Sequence, residues 1–102
     1  LAFPTKDIAQ KHIPAGLHPF DHTCRVHSVN KEWSSDYHRL ICYFKKKTGI
    51  SGILNTSFNL HGFPIVDLPE DAIETLINSN LDYIAIENYL IQAKQGVQPN
   101  IE

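Results

Sequence analysis

The sequence predicts an α/β layer fold in which a mixed twisted sheet carries two main helices. Three observations support this. Apolar residues recur at helical spacing over Tyr37–Phe44 and again over Ala72–Ile77. Short β-branched runs stand between and after these stretches, at Thr23–Val29, Ile50–Thr56 and Asp82–Gln92. The two kinds of segment alternate, in the order β-α-β-(β)-α-β-β, and such alternation points to layered helices and strands.

Leu1–Leu17 carries Pro4, Pro14 and Gly16 and reads as an irregular lead-in with a helical turn around Asp7–Lys11. Thr23–Val29 reads as a strand with Cys24, Val26 and Ser28 on one face and Arg25 and His27 on the other. Ser34-Ser35-Asp36 supplies a helix start. Tyr37, Leu40, Ile41 and Phe44 then form one apolar stripe, and Gly49 ends the helix. Lys45-Lys46-Lys47 reads as a solvated helix end whose cations suit the negative pole of the helix dipole, with local phosphate contact as the alternative. Ile50–Thr56 reads as a buried strand, Asn59–Phe63 as a turn around Gly62, and Pro64–Val66 as a further short strand. The second helix starts at Leu68-Pro69-Glu70-Asp71, where proline and two acids fit a first turn. Its expected inner face is Ala72, Ile73, Leu76 and Ile77. Asp82–Glu87 and Tyr89–Gln92 close the chain as a strand pair around Asn88.

At 102 residues, with 42% hydrophobic and 20% charged residues, the chain has the composition of one small globular domain, 1–102. It contains no methionine and starts at Leu1, which reads as a piece of a larger protein. A net charge of -2 argues against a nucleic-acid binder, which needs a basic stripe to neutralise phosphates. No apolar run approaches the roughly 20 residues that span a bilayer, and no secretory leader is evident, so a cytoplasmic setting is expected. Cys24 and Cys42 lack a CxxC spacing and read as buried or half-buried free thiols, with a disulfide left open.

Asn55-Thr56-Ser57-Phe58-Asn59 concentrates two amides and two hydroxyls at the exit of an expected strand. Such a place in an α/β fold is where ligands are held. By composition alone, a turn whose side chains bond their own backbone is the simpler reading. His18, Asp21, His22, Cys24 and His27 form a second cluster, but their spacing matches no closed zinc pattern, and alternation along a strand divides them. No metal site is expected.

The run from Asn55 to Asn59, followed by Gly62-Phe63-Pro64-Ile65-Val66 and Pro69-Glu70-Asp71-Ala72, resembles the C-terminal signature of the O-carbamoyltransferases. These are enzymes that carbamoylate nodulation factors, cephalosporin-type antibiotics and aminoglycosides. Leu81–Ile91 is similar to the strand pair that follows that signature. Ile13-Pro14-Ala15, His18 and Asp21–Val26 resemble the family's histidine-to-arginine strand, and Tyr37-His38-Arg39-Leu40 its next helix.

The resemblance implies that the chain is a fragment of the C-terminal catalytic domain of a larger carbamoyltransferase, with a partial YrdC-like fold. It implies ATP and carbamoyl phosphate as substrates, with Mg2+ accompanying ATP and carbamoyl adenylate as the product passed on. It also implies an N-terminal kinase-like domain of the same polypeptide, which selects the acceptor hydroxyl; neither nucleic acid nor membrane is an expected partner. Carried over by position, Arg25 grips a phosphate or carbamoyl oxygen and, with Ser57, is catalytic; Asn55 and Ser57 line the pocket, with Asn59 and His18 beside them. The chain departs from the family pattern by one extra residue between His18 and Arg25, by His22 in place of a small residue and by Phe63 in place of an acid. The family's upstream phosphate-holding basic residues have no clear counterpart before Ile13, so the fragment alone is expected to be inactive. Two other readings stand beside this one: a non-catalytic domain of the same fold that binds a nucleotide or a partner, and a small metal-binding module built on the histidines.

Overall fold

Ser34 precedes a 14-residue helix and Gly49 follows it in the left-handed conformation, with φ 77°. The computed structural model describes residues 1–94, and this helix is its longest element. The order is α1 (Asp7–His12), a 3-10 turn (Pro14–Gly16), α2 (Ser35–Thr48), α3 (Pro69–Ile77), β1 (Tyr83–Ile86) and β2 (Tyr89–Gln92). The α/β class read from the sequence is the observed one, with three α-helices and one antiparallel two-stranded sheet among the described residues. The chain divides into two compact units, Leu1–Asn55 and Thr56–Glu102.

In the second unit, local signals and packing agree. Pro69 fills the first turn of α3, where an amide hydrogen has no helical acceptor. The Leu68 N–H donates to the Asp71 carboxylate at 3.3 Å, and Glu70 adds charge at the same pole. The buried face of α3 is Ala72, Thr75 and Leu76, rotated from the expected face because Ile77 is exposed. Thr75 can be buried because its hydroxyl donates to the Asp71 carbonyl at 2.8 Å.

Ile84 of β1 completes this core, with Phe58, Val66, Ile86, Ile91 and Ala93 packed around it. The ladder pairs Ile84 with Ile91 and Ile86 with Tyr89, and the Ala93 N–H donates to the Asp82 carbonyl at 2.8 Å. The two-residue loop Glu87-Asn88 requires a positive φ, and Glu87 adopts it at 51°.

The first unit is built differently. The expected strand over Thr23–Val29 contributes a single bridge, in which Phe3 and Cys24 exchange backbone hydrogen bonds at 2.8 and 3.0 Å. Ile50–Thr56 is not a strand, and at Pro64–Val66 of the second unit only the Val66 N–H is bonded, to the Phe58 carbonyl. The sheet is therefore narrower than predicted and contains no parallel pair among the described residues. The physical reason is that a strand is defined by a hydrogen-bonded neighbour, and these segments have none there. No residue of the first unit is fully buried, and α2 packs against no other helix or strand among the described residues.

Candidate functional site

The first unit encloses a concavity of about 1150 Å³. Helix α2 forms one wall with Tyr37, His38, Ile41, Cys42 and Lys45. The spacing 37, 38, 41, 42, 45 is the three-to-four rhythm of one helix side. This side is offset from the apolar stripe: Ile41 and Tyr37 belong to both, while Leu40 and Phe44 fall outside it. The opposing surfaces are two segments outside helix and ladder, Cys24–Asn30 and Ser51–Asn55.

Arg25 and Asn55 line this same concavity. These two residues, 30 positions apart, border one concavity of 21 lining residues. Arg25 is exposed and has no carboxylate partner among the described residues. Helix residue Arg39, by contrast, sits 3.4 Å from Asp36. Ser57 and Asn59 belong to the second unit. Ser57 is exposed, and the Asn59 side-chain amide donates to the Leu60 and Phe63 carbonyls at 3.2 and 2.9 Å, bracing its own turn.

His18 is not part of the concavity wall. It belongs to a tight exposed turn in which its Nδ1 lies 3.3 Å from the Asp21 carboxylate. The Thr23 N–H and hydroxyl both donate to that carboxylate, at 3.0 and 2.8 Å. These bonds, the backbone one first, hold the Asp21 carboxyl below its ordinary value of 3.8, because they favour the charged form. His22 takes φ 55° in the same turn, where the sequence resemblance puts an additional residue.

The lining has one sign of charge. Arg25 and Lys45 contribute cations, and His27 and His38 add imidazoles, while among the described residues no aspartate or glutamate lines the cavity. Low-dielectric walls with cations of one sign concentrate anions. Such a donor set does not fit a protein-held Mg2+, which requires oxygen ligands and usually a carboxylate. Among the described residues no group of three His, Cys, Asp or Glu is arranged to hold a metal ion.

In the sequence Lys45 reads first as part of a solvated helix end, with phosphate contact as the alternative; in the structure it lines the concavity. A signal was present: Lys45 stands four residues after Ile41 and eight after Tyr37, on their side of the helix. Cys24 and Cys42 are free thiols, and Cys42 is exposed rather than buried, 3.6 Å from the His38 Nδ1. No helix among the described residues is long and apolar enough to cross a membrane.

The chain is 42% identical over 94 residues to an uncharacterized protein of Methanocaldococcus jannaschii. It is 34% identical over 91 residues to nodulation protein NolNO of Sinorhizobium fredii. It is 31% identical over 86 residues to nodulation protein NolO of Bradyrhizobium diazoefficiens. These alignments cover 92%, 89% and 84% of this chain but only 15%, 13% and 16% of the relatives. No solved structure matches the chain significantly. Residues 1–93 match the family described as Carbamoyltransferase C-terminus, and the chain belongs to that family.

Proposed function

We propose that the chain is part of an ATP-dependent O-carbamoyltransferase and supplies anion-holding residues to the step that activates the carbamoyl group. The observation that carries this reading is the concavity lined by Arg25, Lys45 and Asn55 and free of carboxylates. A planar guanidinium grips a phosphate or carbamoyl phosphate through two parallel hydrogen bonds. The Asn55 amide donates to a carbonyl or phosphate oxygen without adding charge. Ser57, Asn59 and His18 are further substrate contacts proposed for the full-length protein from the family resemblance alone.

The atoms balance if water cleaves carbamoyl phosphate to carbamate and phosphate. A carbamate oxygen then attacks the α-phosphorus of ATP and expels pyrophosphate. The acceptor hydroxyl finally takes the carbamoyl carbon from the adenylate and releases AMP. Each step develops charge on oxygen, which fixed cations and amides stabilise. Mg2+ would accompany the ATP phosphates. The acceptor is chosen by the proposed N-terminal kinase-like domain of the same polypeptide.

The test uses the full-length enzyme and reads carbamoyl-phosphate-dependent pyrophosphate release from ATP. A charge-assisted hydrogen bond contributes about 1.5–3 kcal/mol, so Arg25→Ala should lower this activity at least about tenfold. Lys46→Ala, a neighbour outside the concavity wall, is the control and should leave turnover unchanged. Undiminished activity of Arg25→Ala would remove the proposed role.

A further inference from the structure

We propose that Trp33, with Tyr37 next to it, is the platform on which the base of the nucleotide stacks, and that it makes the enzyme selective for purines. The inference rests on the nucleotide-dependent reading above and deepens it. The proposed chemistry uses the phosphates of ATP and leaves the base without a place.

The way Trp33 is displayed gives the first reason. It is the chain's single tryptophan and is 87% exposed, although an indole is among the largest apolar surfaces a protein can bury. Its backbone is nevertheless fixed. The Trp33 N–H donates to the Asn30 carbonyl at 3.2 Å, and the Ser34 N–H donates to the same carbonyl at 3.0 Å. The Asn30 side-chain oxygen accepts the Glu32 N–H at 3.0 Å. The Ser34 carbonyl in turn accepts the His38 N–H at 2.9 Å, which ties this turn to α2. A ring presented on a braced turn binds without the ordering cost of a loose loop.

Its position gives the second reason. Trp33 and Tyr37 border the same concavity as Arg25 and Lys45. Tyr37 belongs to the first turn of α2 and Lys45 to the last. Eight residues on, at a helical rise of about 1.5 Å each, Lys45 is roughly 12 Å further along the axis. One end of the helix wall is therefore aromatic and the other cationic. A small anion such as carbamoyl phosphate engages the cationic end alone. A nucleoside triphosphate carries a flat base at one end and its charge at the other, so one molecule reaches both. The volume of about 1150 Å³ leaves room for such an elongated ligand, since ordinary ligand clefts measure roughly 300–1,000 Å³.

The chemistry of stacking sets the selectivity. Every base has a π face, so an aromatic platform accepts any of them to some degree. The fused rings of a purine cover more of an indole than the single ring of a pyrimidine, and apolar stabilisation grows with the area covered. The preference is therefore graded, with ATP held more tightly than CTP. Arg25 and Lys45 meet only phosphates and contribute nothing to this choice.

Pyrophosphate release by the full-length enzyme tests this, with KM measured for ATP, CTP and carbamoyl phosphate. Trp33→Ala should raise the ATP KM at least about fivefold, the low end of what one stacking side chain contributes. It should leave the carbamoyl-phosphate KM unchanged and narrow the wild-type preference for ATP over CTP. Trp33→Phe keeps a ring and should recover most of the ATP affinity. An unchanged ATP KM in Trp33→Ala would overturn the proposal and assign the indole to a protein contact. Equal rises in the ATP and carbamoyl-phosphate KM, or no recovery in Trp33→Phe, would overturn it as well. The two readings fail separately. If Arg25→Ala loses turnover while Trp33→Ala binds ATP normally, the base platform alone is lost. If the wild-type enzyme releases no pyrophosphate in response to carbamoyl phosphate, the proposed chemistry is lost. Calorimetry with ATP on wild type and Trp33→Ala then still decides: weaker binding by the variant supports the platform, and equal binding or none overturns it.

Discussion

The two units of this chain have similar lengths and opposite internal economies. Residues 56–94 close around Ala72, Leu76 and Ile84, each under a tenth exposed, with a hairpin in register above them. Residues 1–55 hold the longest helix and the charged concavity but contain no fully buried side chain. The contrast teaches that secondary structure and a core are separable. A helix with sound ends can stand beside extended segments without any of them sealing an interior. The half with its own core has little charge in its interior, and the half without one carries the cations that face a cavity.

The largest expected effect sharpens this contrast. Leu76→Ala should destabilise the second unit by about 2–5 kcal/mol, the usual cost of hollowing a packed site. Leu40→Ala, on the exposed side of α2, should stay within about 0.5 kcal/mol in the isolated chain. Urea unfolding of both variants, followed by exchange at the β1–β2 ladder and by helix content, measures the difference. Equal losses would erase the distinction between the units.

A smaller effect is expected at Gly49. A methyl group there meets no atom within 4 Å, so the penalty for Gly49→Ala is confined to the left-handed backbone. It should be about 1 kcal/mol, visible as fraying of the last turn of α2 in amide exchange. Asp71→Ala, at the start of α3, removes one long hydrogen bond and a helix-pole charge and should cost about 0.5–1 kcal/mol by thermal unfolding.

The smallest effect concerns pH. Asp21 has its carboxyl lowered by the Thr23 N–H and hydroxyl. A lowered folded value means that the turn's extra stability is complete above the unfolded value. It is lost as pH falls through the still lower folded one. Thr23 amide exchange, corrected for its intrinsic pH dependence, should therefore accelerate as acid takes the sample below the ordinary value of 3.8. Asp21→Asn should flatten that response.

What the sequence made legible follows the same division. Both main helices carry their boundaries in neighbouring residues: Gly49 at φ 77° ends α2, and Pro69 with Asp71 opens α3. Even there Ser34 holds the N-cap position without a side-chain cap bond. The closing strands were legible because a two-residue loop supplies each with its partner nearby. Thr23–Val29 and Ile50–Thr56 have equally good strand composition and formed no ladder, since composition does not provide a neighbour. Arg25 and Asn55 came from family resemblance and share one concavity. Lys45 belongs to a run of three lysines that the sequence does not rank, and of the three it is the one that lines the concavity.

The short loop at Glu87-Asn88 also bears on time. The second unit's core is assembled from α3 and a hairpin within a few dozen successive residues, a topology that folds quickly because few long loops must close. The preceding half lacks such local closure, so its packing should form more slowly than the hairpin's.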